Sequence, residues 1–369
     1  MREQTTNEGT KYIDRAGDVR QGEELDLERL RAYLTEVLPD AKGPLVVEQF
    51  PRGHSNLTYL LRMGDQEWVL RRPPFGSKVK TAHDMGREHR ILSALCPVYD
   101  RAPRPLAYCE DTSILGAPFY VMERVRGVIL RGPRPPKGLE VSHDDMRRLS
   151  ESLVDGLASL HAVDLDATGL ASLGRIEGYV ERQVSGWTRR YFDAKTDEVS
   201  SIEQVASWLA DHRPEEAGAA LIHNDYRFDN VVLDPADLTR IVALLDWEMA
   251  TVGDPWMDLG TALGYWIDPD DADEAKMIAL GPTLVPGCLS RREVVERYVR
   301  ASGREARDPL FYFVFGLFKI AVIAQQIYKR FKEGHTKDPR FAMMIAAVQL
   351  LGQQAAQALD KGRIHELNR

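Results

Sequence analysis

The sequence predicts an α+β protein with two lobes: a small, mostly antiparallel sheet with one helix against it, followed by a larger, mainly helical lobe. Up to residue 125, short strand-like apolar stretches surround a helical segment, whereas later apolar residues recur at helical spacing. A chain of 369 residues is long enough for two lobes. We place a flexible N-terminal tail at residues 1–20, the first lobe at 21–125 and the second at 126–369.

The first lobe opens with a helix and three strands. Residues 25–38 repeat apolar side chains at helical spacing, and Pro39 ends the pattern. Gly64-Asp65 suits a tight turn between the second and third strands, because both residues tolerate a positive φ. A helix over residues 78–95 and two more strands complete the lobe. The strands are predicted at residues 44–50, 56–63, 67–72, 104–110 and 117–125.

The second lobe begins after a loop rich in Pro and Gly at residues 132–138. Residues 142–163 predict a helix, because Ser142 and Asp145 resemble a capping box and an apolar stripe follows. Ser290 and Glu293 indicate another capped start. The other predicted elements are helices over residues 178–194 and 200–212, and strands over residues 220–223, 231–233 and 241–245.

Composition disfavours several classes of protein. The net charge of −8 argues against general nucleic-acid binding. Cys96, Cys109 and Cys288 show no CxxC spacing, so we expect neither a zinc site nor a disulfide framework, and free thiols fit a cytoplasmic protein. Lys319 interrupts the apolar run over residues 310–324, which is shorter than the roughly 20 residues of a membrane span. We therefore expect a core helix there and no membrane span.

The segment HNDYRFDN, residues 223–230, carries the strongest chemical signal. Asp225 stands five positions before Asn230, and a hairpin after Asn230 would return Asp246 to the same loop. Asp225 can accept a hydroxyl proton, and Asn230 and Asp246 offer the oxygen ligands that Mg²⁺ prefers. Arg227 can neutralise charge on a phosphoryl group in transfer. Phosphoryl transfer from ATP needs such a set, although the segment alone is more often a polar loop.

Residues 221–260 resemble the aminoglycoside phosphotransferase and choline kinase family, whose fold is protein-kinase-like. The resemblance spans about residues 40–340, and VLRRPP and DWEMATVGDP are most similar to the branch fused to acyl-CoA dehydrogenases. It implies Asp225 as the catalytic base and Asn230 and Asp246 as magnesium ligands. It also implies that Asp258, in DPWMDLG, braces the catalytic loop.

In the first lobe, RGHSN (residues 52–56) lies between two strands, where a kinase covers the nucleotide phosphates. Gly53 would let backbone N–H groups approach the phosphates, and Ser55 or Asn56 could donate hydrogen bonds to them. Taken alone, such a segment is more often a simple turn.

Arg71 occupies the position where the third strand of a kinase ends in a lysine that holds the phosphates of ATP. Its expected partner is Glu88 on the following helix. Arginine keeps the charge but is longer and binds carboxylates through a planar fork, so it is not equivalent to lysine. The strand FYVMERV matches the hinge of the family, and backbone groups around Glu123 and Val125 are expected to meet adenine.

The acceptor is less well defined. Residues 304–340 contain eight basic and four acidic side chains among many apolar ones. This balance favours an apolar acceptor with a hydroxyl group and an anionic handle, such as a hydroxyacyl-CoA, unless these cations only face solvent. An aminoglycoside-type antibiotic kinase is an alternative, and Arg71 is the one hint of a nucleotide-binding pseudokinase.

Overall fold

The computed structural model describes residues 9–51, 56–75, 84–336 and 338–368. The chain divides into two compact units, and neither is continuous in sequence. Unit 1 comprises Met1–Ile129, Val231–Asp237 and Ile241–Glu248; unit 2 comprises Leu130–Asn230, Leu238–Arg240 and Met249–Arg369.

Unit 1 is built on a five-stranded antiparallel sheet with the order β1-β2-β3-β5-β4. One face of it packs against the Leu27–Val37 helix, whose Leu30 and Leu34 share an apolar core with Tyr59 and Leu70. Asp26 caps this helix by accepting a hydrogen bond from the backbone N–H of Arg29. The strands are β1 Leu45–Gln49, β2 Leu57–Met63, β3 Gln66–Arg72, β4 Pro105–Cys109 and β5 Phe119–Glu123.

The Met85–Leu95 helix lies between β3 and β4 in sequence, so the predicted order of three strands, one helix and two strands is confirmed. Asp84 caps its start, and Ile91, Leu92 and Leu95 are fully buried. This places Glu88 on the buried side of the helix. A short helix, Thr112–Leu115, connects β4 to β5.

A hairpin from later in the chain completes unit 1. It consists of β7, Val231–Asp234, and β8, Asp237–Leu244. The backbone of Leu233 exchanges hydrogen bonds of 2.8 and 2.9 Å with Val128. Val232 and Ala243 pack with Ile129 in a small apolar cluster. A boundary at residues 125/126 does not anticipate this return of the chain.

The described part of the expected N-terminal tail, residues 9–20, makes backbone contacts with the rest of unit 1. The N–H of Asp14 donates to the carbonyl of Gly127, and Gly17 pairs with Gln49. The Gly17–Gln49 bridge joins the segment to the edge strand β1, and the Asp14 bond joins it to Gly127.

Unit 2 is mainly helical and contains one small antiparallel ladder, β6 Ala220–Ile222 with β9 Thr251–Gly253. The Ser142 hydroxyl caps the first long helix, and Ser290 and Glu293 form a reciprocal capping box, as their spacing predicts. The helices are His143–His161, Tyr179–Ala194, Ser200–Asp211, Pro255–Gly264, Asp273–Met277, Arg291–Ser302, Pro309–Lys332 and Met344–Lys361. Among the described residues of both units, short 3₁₀ turns are Gly9–Tyr12, Leu170–Leu173, Phe228–Asn230, Trp247–Met249 and Pro339–Met343.

The Pro309–Lys332 helix is long and apolar enough to cross a membrane by length and composition, but 72% of its most apolar window is buried within the protein. It packs against the helices Pro255–Gly264 and Met344–Lys361. Gly260 and Gly316 allow this approach, because a Cβ on Gly316 would lie 2.0 Å from the carbonyl oxygen of Gly260. Its environment is that of a core helix.

Candidate active site

Asp225 and Asn230 lie together in unit 2. Strand β6 ends at Ile222, and the chain then turns through Phe228–Asn230 before β7. The Nδ2 of Asn230 donates two hydrogen bonds of 2.8 Å, to the Oδ2 and to the backbone carbonyl of Asp225. This orientation of the amide leaves its oxygen, a hard ligand suited to Mg²⁺, as the other polar atom.

Arg227 joins this loop through two carboxylates. Its Nε lies 3.3 Å from Asp225 Oδ1 and 3.1 Å from Asp229 Oδ1, and its guanidinium stacks over the ring of Tyr265 at 4.9 Å. Burial raises the pKa of Asp229; Arg227 opposes this rise and the Asp225 carboxylate adds to it. In this state Arg227 compensates the charge of the two loop carboxylates. Sequence analysis did not single out Asp229 or Tyr265.

Asp258 braces the start of the loop, as the family resemblance implied. Its carboxylate accepts backbone N–H groups from His223 and Asn224, each at 2.7 Å, and lies 3.1 Å from His161 Nε2. Burial alone would raise the pKa of Asp258, but His161 and the backbone donor of His223 hold that pKa below its usual range. His161 also contacts the Tyr298 hydroxyl at 2.7 Å, so it is a buried structural histidine.

Lys319 is bonded to this loop from the core of unit 2. Its Nζ donates to the backbone carbonyl of Asn224 at 2.9 Å and to the Asn224 Oδ1 at 3.1 Å. Lys319 is only 2% exposed. Counting it among the cations that face an anionic acceptor was therefore wrong, because its ammonium group is buried against the loop. The interruption of an apolar run was the sequence signal for this role.

In unit 1, Arg71 and Glu88 form the expected pair. Arg71 Nε lies 3.3 Å from Glu88 Oε2, and an Arg71 terminal nitrogen donates to Asp246 Oδ1 at 2.8 Å. The Tyr120 hydroxyl donates to Glu88 at 2.8 Å. Burial lowers the pKa of Arg71, but Glu88, Tyr120 and Asp246 outweigh it, so the pKa of Arg71 lies well above its ordinary value.

The side chain of Asn56 is part of the same cluster. Its Nδ2 donates to Glu88 at 3.0 Å and to Glu248 at 2.8 Å, and Asn56 is 1% exposed. Any contact of this amide nitrogen with a phosphate would require these bonds to be exchanged. Glu248 also lies 3.7 Å from Arg71. Sequence analysis missed Glu248 and Tyr120, although Glu248 stands two positions after Asp246 in DWE.

The hinge residues and the predicted phosphate loop are less informative. The Glu123 carboxylate accepts the backbone N–H of Arg104 at 2.8 Å, and Val125 packs beside Ile129. An adenine contact of the backbone around Glu123 and Val125 stays a prediction. Gly53 and Ser55 lie outside the described residues.

The predicted site residues thus form two groups. Asp225, Arg227 and Asn230 lie in unit 2, whereas Asp246 lies in unit 1 with Arg71 and Glu88. Within the described ranges, no group of three or more His, Cys, Asp or Glu residues has an arrangement that could hold a metal ion. A shared metal site of Asn230 and Asp246, one amide and one carboxylate, therefore stays a prediction.

Comparison with known proteins shows to which enzyme family the chain belongs. The model of the phosphotransferase enzyme family matches residues 46–295. The chain belongs to this family. Acyl-CoA dehydrogenase family member 10 of Mus musculus is 35% identical over 323 residues, which are 85% of this chain and 29% of that protein. The chain spans less than half the length of the curated relatives it matches, so this likeness concerns only part of each relative.

Solved structures of other phosphotransferases share the fold. A Ralstonia eutropha protein, provisionally described as an aminoglycoside phosphotransferase, is 29% identical with a TM-score of 0.78, covering 92% of this chain and 99% of that one. Choline kinase of Cryptosporidium parvum is 10% identical with a TM-score of 0.61, covering 93% and 99%. The predicted protein-kinase-like α+β fold is confirmed, and kinase-type phosphotransfer is the chemistry of the family.

Proposed function

We propose that this phosphotransferase transfers the γ-phosphoryl group of ATP to a hydroxyl group of a small molecule. The observation that carries the proposal is the pair formed by Asp225 and Asn230 in unit 2, in which the amide holds the carboxylate at 2.8 Å. A positioned carboxylate next to an amide oxygen provides a proton acceptor beside a ligand for a hard cation.

Each residue has a defined task in this proposal. Asp225 accepts the proton of the acceptor hydroxyl, and Arg227 compensates negative charge at the same loop. Asn230 and Asp246 would hold Mg²⁺ through oxygen atoms. When bound, Mg²⁺ supplies positive charge against the phosphate oxygens. The carboxylate of Asp246 is 33% exposed, so solvent reaches part of it.

The nucleotide would be held from unit 1. Arg71 would bind its phosphates, with Gly53, Ser55 and Asn56 covering them and the backbone at Glu123 and Val125 meeting adenine. Because Arg71 is bonded to Asp246 and paired with Glu88, it is already anchored before it meets a phosphate. Binding of the phosphates therefore requires part of this ion-pair cluster to be exchanged.

For the acceptor, we propose an apolar molecule with a hydroxyl group, such as a hydroxyacyl-CoA. An apolar pocket in unit 2 is lined by Leu153, Phe228 and Trp266, and its lining also includes Arg227 and Asp229. The lining is mostly apolar, as an alkyl chain would need, but the pocket has a volume of about 20 Å³ and would have to widen to admit one. The basic residues of the 304–340 segment add little support, because Arg307, Lys332 and Arg340 pair with carboxylates of unit 2.

The first experiment measures Mg²⁺-dependent ADP release from ATP by the wild type and by Asp225→Asn, across a panel of hydroxyl-bearing metabolites. We expect acceptor-stimulated turnover in the wild type and a loss of at least about 100-fold in the variant. Asp211→Asn, the same substitution at an exposed helix end, should behave as the wild type. Equal background turnover in wild type and Asp225→Asn, with nucleotide still bound, would instead support a pseudokinase.

A second experiment separates the acceptor classes by thermal protection. Acyl-CoA esters should raise the unfolding temperature, because ligands that bind the folded state stabilise it. Protection by kanamycin-type cations without protection by acyl-CoA would favour an antibiotic kinase. A cytoplasmic location is part of the proposal and agrees with three cysteines that are free thiols.

A further inference from the structure

Lys319 is unusual for its position. It lies in the apolar Pro309–Lys332 helix, and Phe315 and Phe318 near it in sequence are fully buried. Its ammonium group contacts two oxygens of Asn224 and stands 5.8 Å from the ring centre of Trp187. These partners are all uncharged, so the buried positive charge is not directly paired.

Burying an unpaired charge is costly, and a neutral donor could satisfy the same two oxygens at lower cost. Burial lowers the pKa of Lys319 to about 8, although the Asp258 and Asp225 carboxylates oppose this shift. Because burying this ammonium group in the core of unit 2 costs stability, we expect Lys319 to have a function other than packing.

The contacts of Asn224 indicate what that function is. Asn224 has a left-handed backbone with a φ of +66°, which is uncommon for a residue other than glycine. The peptide group between Asn224 and Asp225 is fixed at both ends, because Lys319 bonds its carbonyl at 2.9 Å and His223 Nδ1 accepts its N–H at 3.3 Å. The direction in which the Asp225 side chain leaves the backbone depends on this peptide group.

We propose that Lys319 is a positioning residue for phosphoryl transfer. It clamps the Asn224–Asp225 peptide group from the core, and its charge lies near the carboxylate that accepts the proton. This inference rests on the proposed role of Asp225. It assigns a catalytic purpose to a residue from a helix far away in sequence.

The test uses Lys319→Met, which keeps the length of the side chain but removes its charge and its hydrogen bonds. Lys361→Met, at an exposed lysine of unit 2, is the control. With MgATP and water as the acceptor, we expect kcat of Lys319→Met to fall about tenfold or more, which corresponds to at least about 1.4 kcal/mol. The KM for ATP should stay within about twofold of the wild type.

Thermal unfolding separates positioning from a purely structural role. Lys319→Met removes a buried charge but also two hydrogen bonds to Asn224, and because these effects oppose each other the unfolding temperature should change little. Lys319→Arg, which keeps the charge, should retain more activity than Lys319→Met if it folds. Unchanged kcat in a folded Lys319→Met protein would overturn the proposal, as would a loss of activity fully accounted for by a lower unfolding temperature.

Amide hydrogen exchange provides a readout that does not depend on activity. In Lys319→Met the amides of residues 223–226 should exchange faster than in the wild type and in Lys361→Met. If the wild type shows no more turnover than Asp225→Asn, the proposed function fails, and exchange alone decides whether the clamp exists. Unchanged exchange in that segment would disprove the clamp.

Discussion

The guanidinium of Arg71 donates a hydrogen bond of 2.8 Å to the carboxylate of Asp246 within unit 1. The same side chain pairs with Glu88 at 3.3 Å and lies 3.7 Å from Glu248. Arginine presents a planar fork of five donors that can meet several carboxylates at fixed angles, whereas lysine offers one compact charge with three donors. The three carboxylates around Arg71 therefore suit an arginine at this position.

The first prediction concerns the stability of this cluster. Removing the cation by Arg71→Met leaves the buried Glu88 uncompensated, so the free energy of unfolding should fall by about 3–5 kcal/mol. The double variant Arg71→Met/Glu88→Gln should recover a large part of this loss. Urea unfolding of the wild type, Arg71→Met, Glu88→Gln and the double variant gives the four free energies of a double-mutant cycle. Strictly additive losses would show that the two side chains do not interact energetically.

The second prediction concerns the stability of the protein at acidic pH. The pKa of Asp258 is lower in the folded protein than in the unfolded chain, because the His161 contact and the backbone donors outweigh the effect of burial. Its contribution to stability is therefore present above its unfolded pKa of about 4 and lost as pH falls below that value. The difference in unfolding free energy between wild type and Asp258→Asn should shrink from pH 7 to pH 3. If the unfolding free energies of wild type and Asp258→Asn change in parallel with pH, the pKa of Asp258 is not lowered in the folded protein.

The third prediction concerns alkaline pH. The pKa of Lys319 falls from 10.5 to about 8 on folding, in surroundings that include Asp225, Asp258 and Arg190. Between these values the unfolded chain binds more protons, so wild-type stability should rise with pH relative to Lys319→Met, by up to about 3 kcal/mol. Unfolding free energies at pH 7.5 and 9.5 test it. If the stability of the wild type relative to Lys319→Met stays constant or falls between these two pH values, the pKa of Lys319 is not lowered on folding.

The fourth prediction concerns helix packing. A Cβ on Gly316 would meet the carbonyl of Gly260 at 2.0 Å, so Gly316→Ala should destabilise the protein by about 3 kcal/mol or prevent folding. Gly186 is the matched control, because its nearest neighbour to a new Cβ is an arginine side chain at 3.6 Å. Gly186→Ala should stabilise its helix by about 0.5–1 kcal/mol. Similar effects of both substitutions on thermal unfolding would contradict the close approach.

Local patterns in the sequence predict much of the fold and part of the site. The kinase pattern, applied to the strand order of the first lobe, pairs Arg71 with Glu88, and the structure confirms that they pair. The spacing of Asp225 and Asn230 places both on one turn, which the 2.8 Å hydrogen bond confirms as a contact. These predictions succeed because the kinase pattern names the paired positions, and short-range geometry in strands, helices and tight turns then places them.

Contacts between residues distant in sequence were not predicted. A phosphate contact of Asn56 stays a prediction, but the hydrogen bonds of its amide to Glu88 and Glu248 could not be read from a local pattern. Lys319 was counted as a cation for the acceptor, but helix packing places it under Asn224, 95 positions earlier. Burial of a polar side chain and its choice of partner depend on the tertiary fold, so composition alone does not predict them.

The return of the hairpin β7–β8 to unit 1 constrains attempts to dissect the protein. A fragment that stops at residue 129 would lack the backbone partner of Val128 and the apolar cover of Ile129. It would also lack Asp246, the partner of Arg71. Expressing unit 1 by simple truncation should therefore yield an aggregation-prone piece, whereas a circular permutant or a linker fusion that carries residues 231–248 should preserve it.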